Sequence, residues 1–264
     1  MSEWFDPVIF SVGPLEVRWY GLMYVFGFGF GSWLLTVLAR QGFWPLPKEL
    51  VDKFVTPLII GMFLGARLFY VFVYNFEYYA NNLGEALHVW KGGLSFHGAI
   101  FGMVCAAAWF ARKHRVSIFQ LTDCMCLAGT PGIFFGRMGN FINGELWGHV
   151  TTSPFGMVFP DAGPYPRHPS MLYEGILEGI VLALILWAIY RKQRHYGLVS
   201  TVYLAGYGVF RFIVEFFRVP DAQLGYFFGG ITMGQILCAI MILLSGVMWV
   251  TSQRAKIPNP LYRG

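Results

Sequence analysis

Seven apolar stretches, at 20–39, 54–74, 94–111, 119–136, 173–190, 198–218 and 231–250, divide the chain. Each is long enough to cross a hydrocarbon layer about 30 Å thick as an α-helix. The pattern predicts an all-α integral membrane protein with seven transmembrane helices. The polar segments between them are short, except for 141–172, which is rich in Gly, Pro and aromatic residues. That connection is expected to fold as a small irregular head on the bundle. The 75–93 connection mixes Tyr and Trp with acids and reads either as an interfacial segment or as an ordinary surface loop. No linker, low-complexity tract or charge block separates two halves, so residues 1–264 are expected to form one bundle.

Composition agrees with this reading: 56% of the 264 residues are hydrophobic and 12% are charged, against roughly 25% charged in a soluble domain. The net charge of +5 would suggest nucleic acid in a soluble protein, but the basic residues sort by loop instead. Arg40, Lys48, Lys53, Arg112, Lys113, Arg115, Arg191, Lys192, Arg194, Arg254, Lys256 and Arg263 fall at one set of helix ends. The opposite ends carry only Arg18, Lys91, Arg137, Arg167 and Arg218. An excess of Lys and Arg marks the cytoplasmic side, which predicts an outer N-terminus, a cytoplasmic C-terminus and an outer 141–172 head. No basic segment and no cleavage pattern flanks the first span, so it is expected to be retained. Cys105, Cys124, Cys126 and Cys238 all lie in apolar spans, and no disulfide is expected.

Glycines recur four residues apart at 27 and 31, 61 and 65, 98 and 102, 132 and 136, and 175 and 179. Such spacing lets helix backbones approach closely in lipid, and packing is the expected role of most of them.

When odd helices run inward and even helices outward, the polar residues gather at the outer ends. Tyr20 opens the first span and His97 the third, Arg137 to Glu145 close the fourth, and His168 precedes the fifth. Tyr207, Arg211, Glu215 and Arg218 follow one another by four, four and three residues, which stacks them on one face of the sixth helix. The segment 136–148, G-R-M-G-N-F-I-N-G-E-L-W-G, puts charge and five glycines at an apolar boundary and reads as a flexible site. Arg211 lies roughly 10 Å deep at 1.5 Å per residue. It is either one half of a structural pair with Glu215 or a cation held for a lipid phosphate. Arg67 is either a third such cation or half of an ion pair that orients helices. Guanidinium stays charged in a poorly hydrated site and offers a planar fork to phosphate oxygens. His149 and His168 are candidates for direct involvement or for simple solvation. Cys124 and Cys126 lie toward the inner end, away from His97, so no metal site is expected, and no cofactor motif is present.

Five motifs carry a family resemblance: R-W-Y-G-L-M-Y at 18–24, G-G-L-S-F-H-G at 92–98, the 136–148 segment, R-H-P-S-M-L-Y-E at 167–174 and Y-G-V-F-R-F-I-V-E-F-F-R at 207–218. In order and over about residues 4 to 250, the chain resembles the bacterial prolipoprotein diacylglyceryl transferases. The resemblance implies transfer of the diacylglyceryl group of phosphatidylglycerol to the thiol of a lipobox cysteine in a prolipoprotein signal peptide. A thioether forms and glycerol 1-phosphate is released, the first step of bacterial lipoprotein maturation. It places the protein in the cytoplasmic (inner) membrane with its active face toward the outer leaflet. The implied partners are phosphatidylglycerol, prolipoprotein signal peptides and the bilayer, with no nucleic acid. Arg137 corresponds to the lipid-binding arginine and Arg211 to a second essential one, while His97 is the candidate base or orienting group for the thiol. An arginine near the sulfur is the alternative activator. Tyr20, Asn140, Asn143, Glu145, Gly148, Tyr207 and Glu215 are expected to line the pocket.

Two other classes compete. A transporter for an anionic lipid would use the same arginines without reacting, but neither paired repeats nor mid-membrane helix breaks are evident. An intramembrane protease would need a serine, an aspartate pair or a zinc set inside the bundle, and none is visible.

Overall fold

The computed structural model describes residues 4–13, 15–88, 93–219, 226–227 and 230–262. Helices dominate: α1 (Trp19–Arg40), α2 (Val51–Phe69), α3 (Phe76–Asn81), α4 (Phe96–His114), α5 (Ile118–Asn143), α6 (Ser170–Glu174), α7 (Leu182–Ile189), α8 (Leu198–Glu215) and α9 (Met233–Ala255). Residues Tyr70–Tyr74 extend α2, and Gly175–Val181 join α6 to α7, in wider π-type turns. Among the described residues, six helices are long and apolar enough to cross a membrane, at Trp19–Arg40, Lys48–Tyr74, Ile118–Asn143, Ser170–Ile189, Leu198–Glu215 and Met233–Ala255. At 1.5 Å per residue the 22 residues of α1 span about 33 Å. Another long helix, α4, has 19 residues and closes on Arg112, Lys113 and His114, which lowers its mean hydropathy.

The all-α expectation needs one correction. Val8–Val12 (β1) and Leu15–Arg18 (β2) form an antiparallel hairpin, and Tyr226–Phe227 (β3) pairs with Ile231–Thr232 (β4). Gly13, at φ +60, turns the first hairpin, a conformation that glycine adopts without a Cβ clash. The hairpin hands the chain to α1 through Trp19 N–H, which donates to Pro7 O at 3.1 Å.

Close backbone approach holds the long helices in pairs. A Cβ on Gly61 would sit 2.6 Å from Gly102 O, and one on Gly102 or Gly98 would overlap the backbone of Gly61 or Gly65. Helices α2 and α4 therefore touch backbone to backbone. Gly27 and Gly31 do the same for α1 against Gly132 and Ala128 of α5, and Gly175 and Gly179 set the approach of the Gly175–Val181 segment against Phe134 and Arg137. Gly136 is the exception, because a Cβ added to it would meet nothing within 4 Å.

Packing is uneven along the bundle. One end holds the large core, with Leu38, Phe43, Phe54, Phe110, Leu121, Leu186, Tyr190 and Tyr196 fully buried among the ends of α1, α4 and α7 and the starts of α2, α5 and α8. The outward faces are apolar and bare, for example Val25, Trp33, Leu64, Phe72, Leu243 and Val247, as lipid contact requires. A smaller cluster of Phe159, Ala162 and Met171, packed by Trp4, Phe141 and Trp147, forms the head at the opposite end.

At the large-core end Asp123 of α5 is fully buried and caps another helix. It accepts from Gly197 N–H at 2.7 Å, Ser200 N–H at 2.8 Å, Gln193 Nε2 at 2.8 Å and the Ser200 hydroxyl. Gln193 Oε1 takes Leu198 N–H and Val199 N–H at 3.1 and 3.3 Å. The open N–H groups of the first turn of α8, which every helix leaves unsatisfied, are thereby all met from outside α8.

Candidate functional site

At the head end the starts of α1, α6 and α9 meet the ends of α5 and α8, because neighbouring long helices run in opposite directions. Three of the expected polar residues, Arg137, Arg211 and Arg218, converge there on a partner that was not among them. Glu174, fully buried at the end of α6, receives three guanidiniums. Arg137 Nε lies 2.7 Å from its Oε2, and Arg211 Nη1 and Arg218 Nη1 each lie 3.0 Å from its Oε1.

From this node the network runs two ways. Arg211 Nη2 pairs with Glu215 Oε2 at 2.6 Å, and the Thr232 hydroxyl donates to Glu215 Oε1 at 2.8 Å. The Arg211–Glu215 pair read from the i, i+4 spacing is present, and Glu174 joins it. In the other direction Arg137 Nη1 donates to Asn140 Oδ1 at 3.3 Å, Asn140 Nδ2 to Glu145 Oε1 at 2.8 Å, and Asn143 Nδ2 to the same oxygen at 3.2 Å. Tyr20 packs its ring on Gly139, where a Cβ would lie 2.8 Å from Cδ2, and its hydroxyl is 3.1 Å from that of Tyr24. Tyr207 lies inside the cluster, within electrostatic reach of Arg137, Arg211, Glu174 and Glu178.

Three sequence expectations change in detail. Residues 136–143 are the last two turns of α5 and not a flexible segment; the chain leaves the helix at Gly144, in the left-handed conformation at φ +69. Gly148 is buried where a Cβ would overlap Phe217 O, and its N–H donates to His168 O at 2.8 Å. Its place is thus a backbone clamp between the head and the end of α8. Arg67 lies outside the cluster. Its guanidinium donates to Ala86 O, Glu85 O and Gly93 O at 2.8 to 2.9 Å, fastening the 75–93 connection by its carbonyls.

His97 occupies the first turn of α4, but its side chain lies outside the described residues, as does part of the 75–93 connection. Ahead of it, Ser95 N–H donates to Ala66 O at 3.0 Å and the Ser95 hydroxyl accepts from Gly98 N–H at 3.2 Å. His168 Nδ1 lies 3.1 Å from the Tyr173 hydroxyl and its ring stacks edge-on against Phe217. Burial, and then the neighbouring His149, push its pKa below the usual histidine range. An apolar cleft of about 240 Å³, reaching Phe134 one turn before Arg137 on α5, is lined by Phe30, Phe134, Phe135, Gly179, Ile180 and Leu184.

Two acids were missed in the sequence, Glu174 and Glu178, and both are fully buried. Their signal was there to read: two carboxylates four residues apart in an apolar span, where ionisable residues mark sites by default. Among the described residues no cluster of three or more His, Cys, Asp or Glu side chains is arranged to hold a metal.

A helical bundle with a bare apolar skin and a charged node buried at one end has the architecture of an integral membrane protein. The chain belongs to the prolipoprotein diacylglyceryl transferase family, whose profile it matches over residues 7–251. It is 49% identical over 246 residues to the phosphatidylglycerol–prolipoprotein diacylglyceryl transferase of Nitratidesulfovibrio vulgaris (strain DP4), covering 93% of each chain. To the protein of the same name from Pseudomonas aeruginosa (strain UCBPP-PA14) it is 48% identical over 257 residues, covering 97% of this chain and 96% of the relative. The Oleidesulfovibrio alaskensis protein of that name is 50% identical over 243 residues, covering 90% of each.

Proposed function

We propose that the chain transfers the diacylglyceryl group of phosphatidylglycerol to the cysteine thiol of a prolipoprotein signal peptide at the bacterial cytoplasmic membrane. The observation that carries this reading is the convergence of Arg137, Arg211 and Arg218 on one buried carboxylate, in a chain of this family. The sulfur forms a bond to the glyceryl carbon as the carbon–oxygen bond to phosphate breaks. Glycerol 1-phosphate leaves with the electron pair, and the thiol proton passes to a base.

Each step has a residue. Arg137 and Arg211 hold the phosphate and meet the charge that develops on it as it departs, a contribution of several kcal/mol for a preorganised donor in a dry site. His97 takes or orients the thiol proton, since a thiol of ordinary pKa, about 8.5, is mostly protonated at neutral pH. Asn140, Asn143 and Glu145 hold Arg137 from the far side, Glu215 holds Arg211, and Tyr20, Gly148 and Tyr207 shape the pocket. The apolar cleft one turn before Arg137 on α5 suits an acyl chain.

In this reading α4 joins the six apolar helices to make seven spans, with residues 141–172 as the outer head of a single bundle, the N-terminus outside and the C-terminus cytoplasmic. The twelve basic residues at one set of ends support that orientation. Thiol labelling of new cysteines at 112–117 and 150–160 in intact cells checks it; equal labelling of both by an impermeant reagent overturns it.

The decisive assay incubates purified protein with phosphatidylglycerol and a short lipobox-type peptide and measures peptide mass. A gain of one diacylglyceryl group is expected. An unchanged peptide with lipid moved between leaflets would favour transport instead. The variant His97→Gln should keep lipid binding and slow transfer, because glutamine hydrogen-bonds without accepting a proton; loss of lipid binding as well would reassign His97 to the headgroup.

A further inference from the structure

The start of α9 meets the arginine cluster through contacts that helix capping alone does not account for. Thr232 stands in extended backbone just before the first turn of α9 and caps it. Its Oγ1 accepts from Gln235 N–H at 3.2 Å, and Gln235 Oε1 accepts from Thr232 N–H at 3.1 Å. This capping box uses the hydroxyl oxygen as an acceptor and leaves its single proton to be placed elsewhere. That proton goes to another helix: the Thr232 hydroxyl donates to Glu215 Oε1 at 2.8 Å, at the end of α8. Gly234 completes the seat. A Cβ there would lie 2.5 Å from Glu215 Oε1 and 2.7 Å from its Cδ, so the carboxyl group rests on the bare backbone of the first turn of α9.

The seat is held firmly. Helices α8 and α9 pack closely about two turns away, where a Cβ on Gly208 would lie 3.1 Å from Cys238 O and 2.9 Å from Ile242 Cγ1. Thr232, Gln235 and Glu215 are all buried. Both oxygens of Glu215 are committed, Oε1 to Thr232 and Oε2 to Arg211 Nη2 at 2.6 Å. The open N–H groups and partial positive charge of a helix start also favour an anion at this place. Arg211 needs such a hold. Its Nη1 goes to Glu174, a carboxylate that Arg137 and Arg218 approach as well, so Glu174 by itself leaves the tilt of the Arg211 guanidinium open. A second carboxylate on Nη2, itself fixed, sets the plane of the group.

We infer that Thr232, with Gly234 beside it, is a positioning residue for the transfer reaction: through Glu215 it aims Arg211 at the departing phosphate. The inference rests on the reading of Arg211 as a phosphate ligand. Thr232 acts at one remove from the chemistry. Its hydroxyl proton fixes one oxygen of Glu215, the other oxygen fixes Arg211, and the guanidinium is in place before the substrate arrives. A displacement of about 1 Å in a group so placed can cost on the order of a hundredfold in rate.

The test measures turnover of short-chain phosphatidylglycerol with a lipobox-type peptide by the full-length protein in detergent, with melting followed alongside. Thr232→Val keeps the shape and loses the hydroxyl. Its kcat and kcat/KM should fall together by about tenfold or more, the pattern of an interaction lost in the transition state. Thr232→Ser, which restores the hydroxyl, should recover most of that loss. Gln235→Ala removes half of the capping box but leaves the Thr232 hydroxyl, so it should melt earlier and turn over like the wild type. Gly234→Ala leaves the cap intact while its methyl group displaces the Glu215 carboxyl, so turnover should again fall about tenfold. In a Glu215→Ala background Thr232→Val should cost nothing further. Wild-type turnover in Thr232→Val, no recovery in Thr232→Ser, equal losses in Thr232→Val and Gln235→Ala, or full additivity with Glu215→Ala overturns the proposal. Should Thr232→Val not fold, Gly234→Ala decides, and turnover at the wild-type rate refutes. Arg211→Gln separates the two readings. If it transfers as the wild type does, Arg211 is not the phosphate ligand; if it loses transfer while Thr232→Val does not, only the role of Thr232 fails.

Discussion

Glu174→Gln is the substitution that most directly loads the charged node. Glutamine has the shape of glutamate, so packing is kept while one negative charge leaves a side chain that is 0% exposed and touches Arg137, Arg211 and Arg218 at 2.7 to 3.0 Å. Each pair is worth gross attraction on the order of 4 kcal/mol at 4 Å with an effective dielectric constant of 20. Most of that offsets desolvation, and removing one partner of a buried pair costs about 3–5 kcal/mol net. The amide oxygen still accepts from one arginine, so the low end applies. A loss of about 3 kcal/mol lowers the melting temperature by roughly 6–12 °C in a protein of this size. Arg137 and Arg211 lose their shared counter-ion while Glu215 still pairs with Arg211, so phosphatidylglycerol should stabilise the variant more than the wild type. About tenfold tighter binding corresponds to 1.4 kcal/mol. Transfer should nevertheless slow, because Arg137 and Arg211 lose their common anchor. The assay is thermal unfolding in detergent with and without phosphatidylglycerol, paired with turnover. A variant that melts and turns over like the wild type, or gains less from the lipid, would show that the four side chains are not electrostatically coupled.

Arg137→Lys should lose most activity while folding normally, since an ammonium cannot reproduce the two-oxygen fork; near-normal turnover would remove the phosphate clamp from Arg137. In Asp123→Ala the orphaned Gly197 and Ser200 N–H groups each cost about 1–3 kcal/mol, so a stability loss on the order of 4 kcal/mol is expected in detergent melts, and a loss under about 1 would refute the cap. Gly102→Ala forces apart two backbones in contact and should destabilise by about 1–3 kcal/mol, whereas Gly136→Ala, with open space around it, should stay within about 0.5; equal melting of the two would undo the glycine argument. His168, its pKa held down by burial and by His149, favours the neutral ring in the fold. Its contribution is present above about pH 6.5 and is lost as pH falls through the lower folded value, so proteolysis within 149–168 should quicken below pH 6, and a rate unchanged at pH 5 would count against it.

The helices were legible because apolar length has one meaning in a bilayer, and α1, and α2 with its π-type extension, begin and end within three residues of the spans read for them. Tyr207, Arg211, Glu215 and Arg218 were legible as a stripe for a related reason: spacing on one helix fixes a face. What spacing cannot say is which face another helix brings. Glu174 and Glu178 sit in a stretch apolar enough to hide them, and their weight comes from α5 and α8 crossing at that level. Arg67 shows the limit from the other side. The acceptors described for it include main-chain oxygens 18 to 26 residues away, which no side-chain pattern encodes. The β1–β2 hairpin escaped because eleven residues beside a strong first span carry too little hydrophobic signal of their own.

The capping of α8 by Asp123 and Gln193 has a consequence for the order in which the molecule is made. α8 has no side-chain cap of its own and no acid in its first turn, so its start is completed by acceptors from α5 and from the segment just before it. A ribosome releases α5 first. Until residues 197–200 emerge, the Asp123 carboxylate has none of its eventual helix donors, and water must serve it. The arrival of α8 dismisses that water and locks the end of the bundle. The cap therefore works as a latch in biosynthesis: a chain stalled before α8 carries an unmet acid within a membrane helix, a mark by which an unfinished copy differs from a finished one.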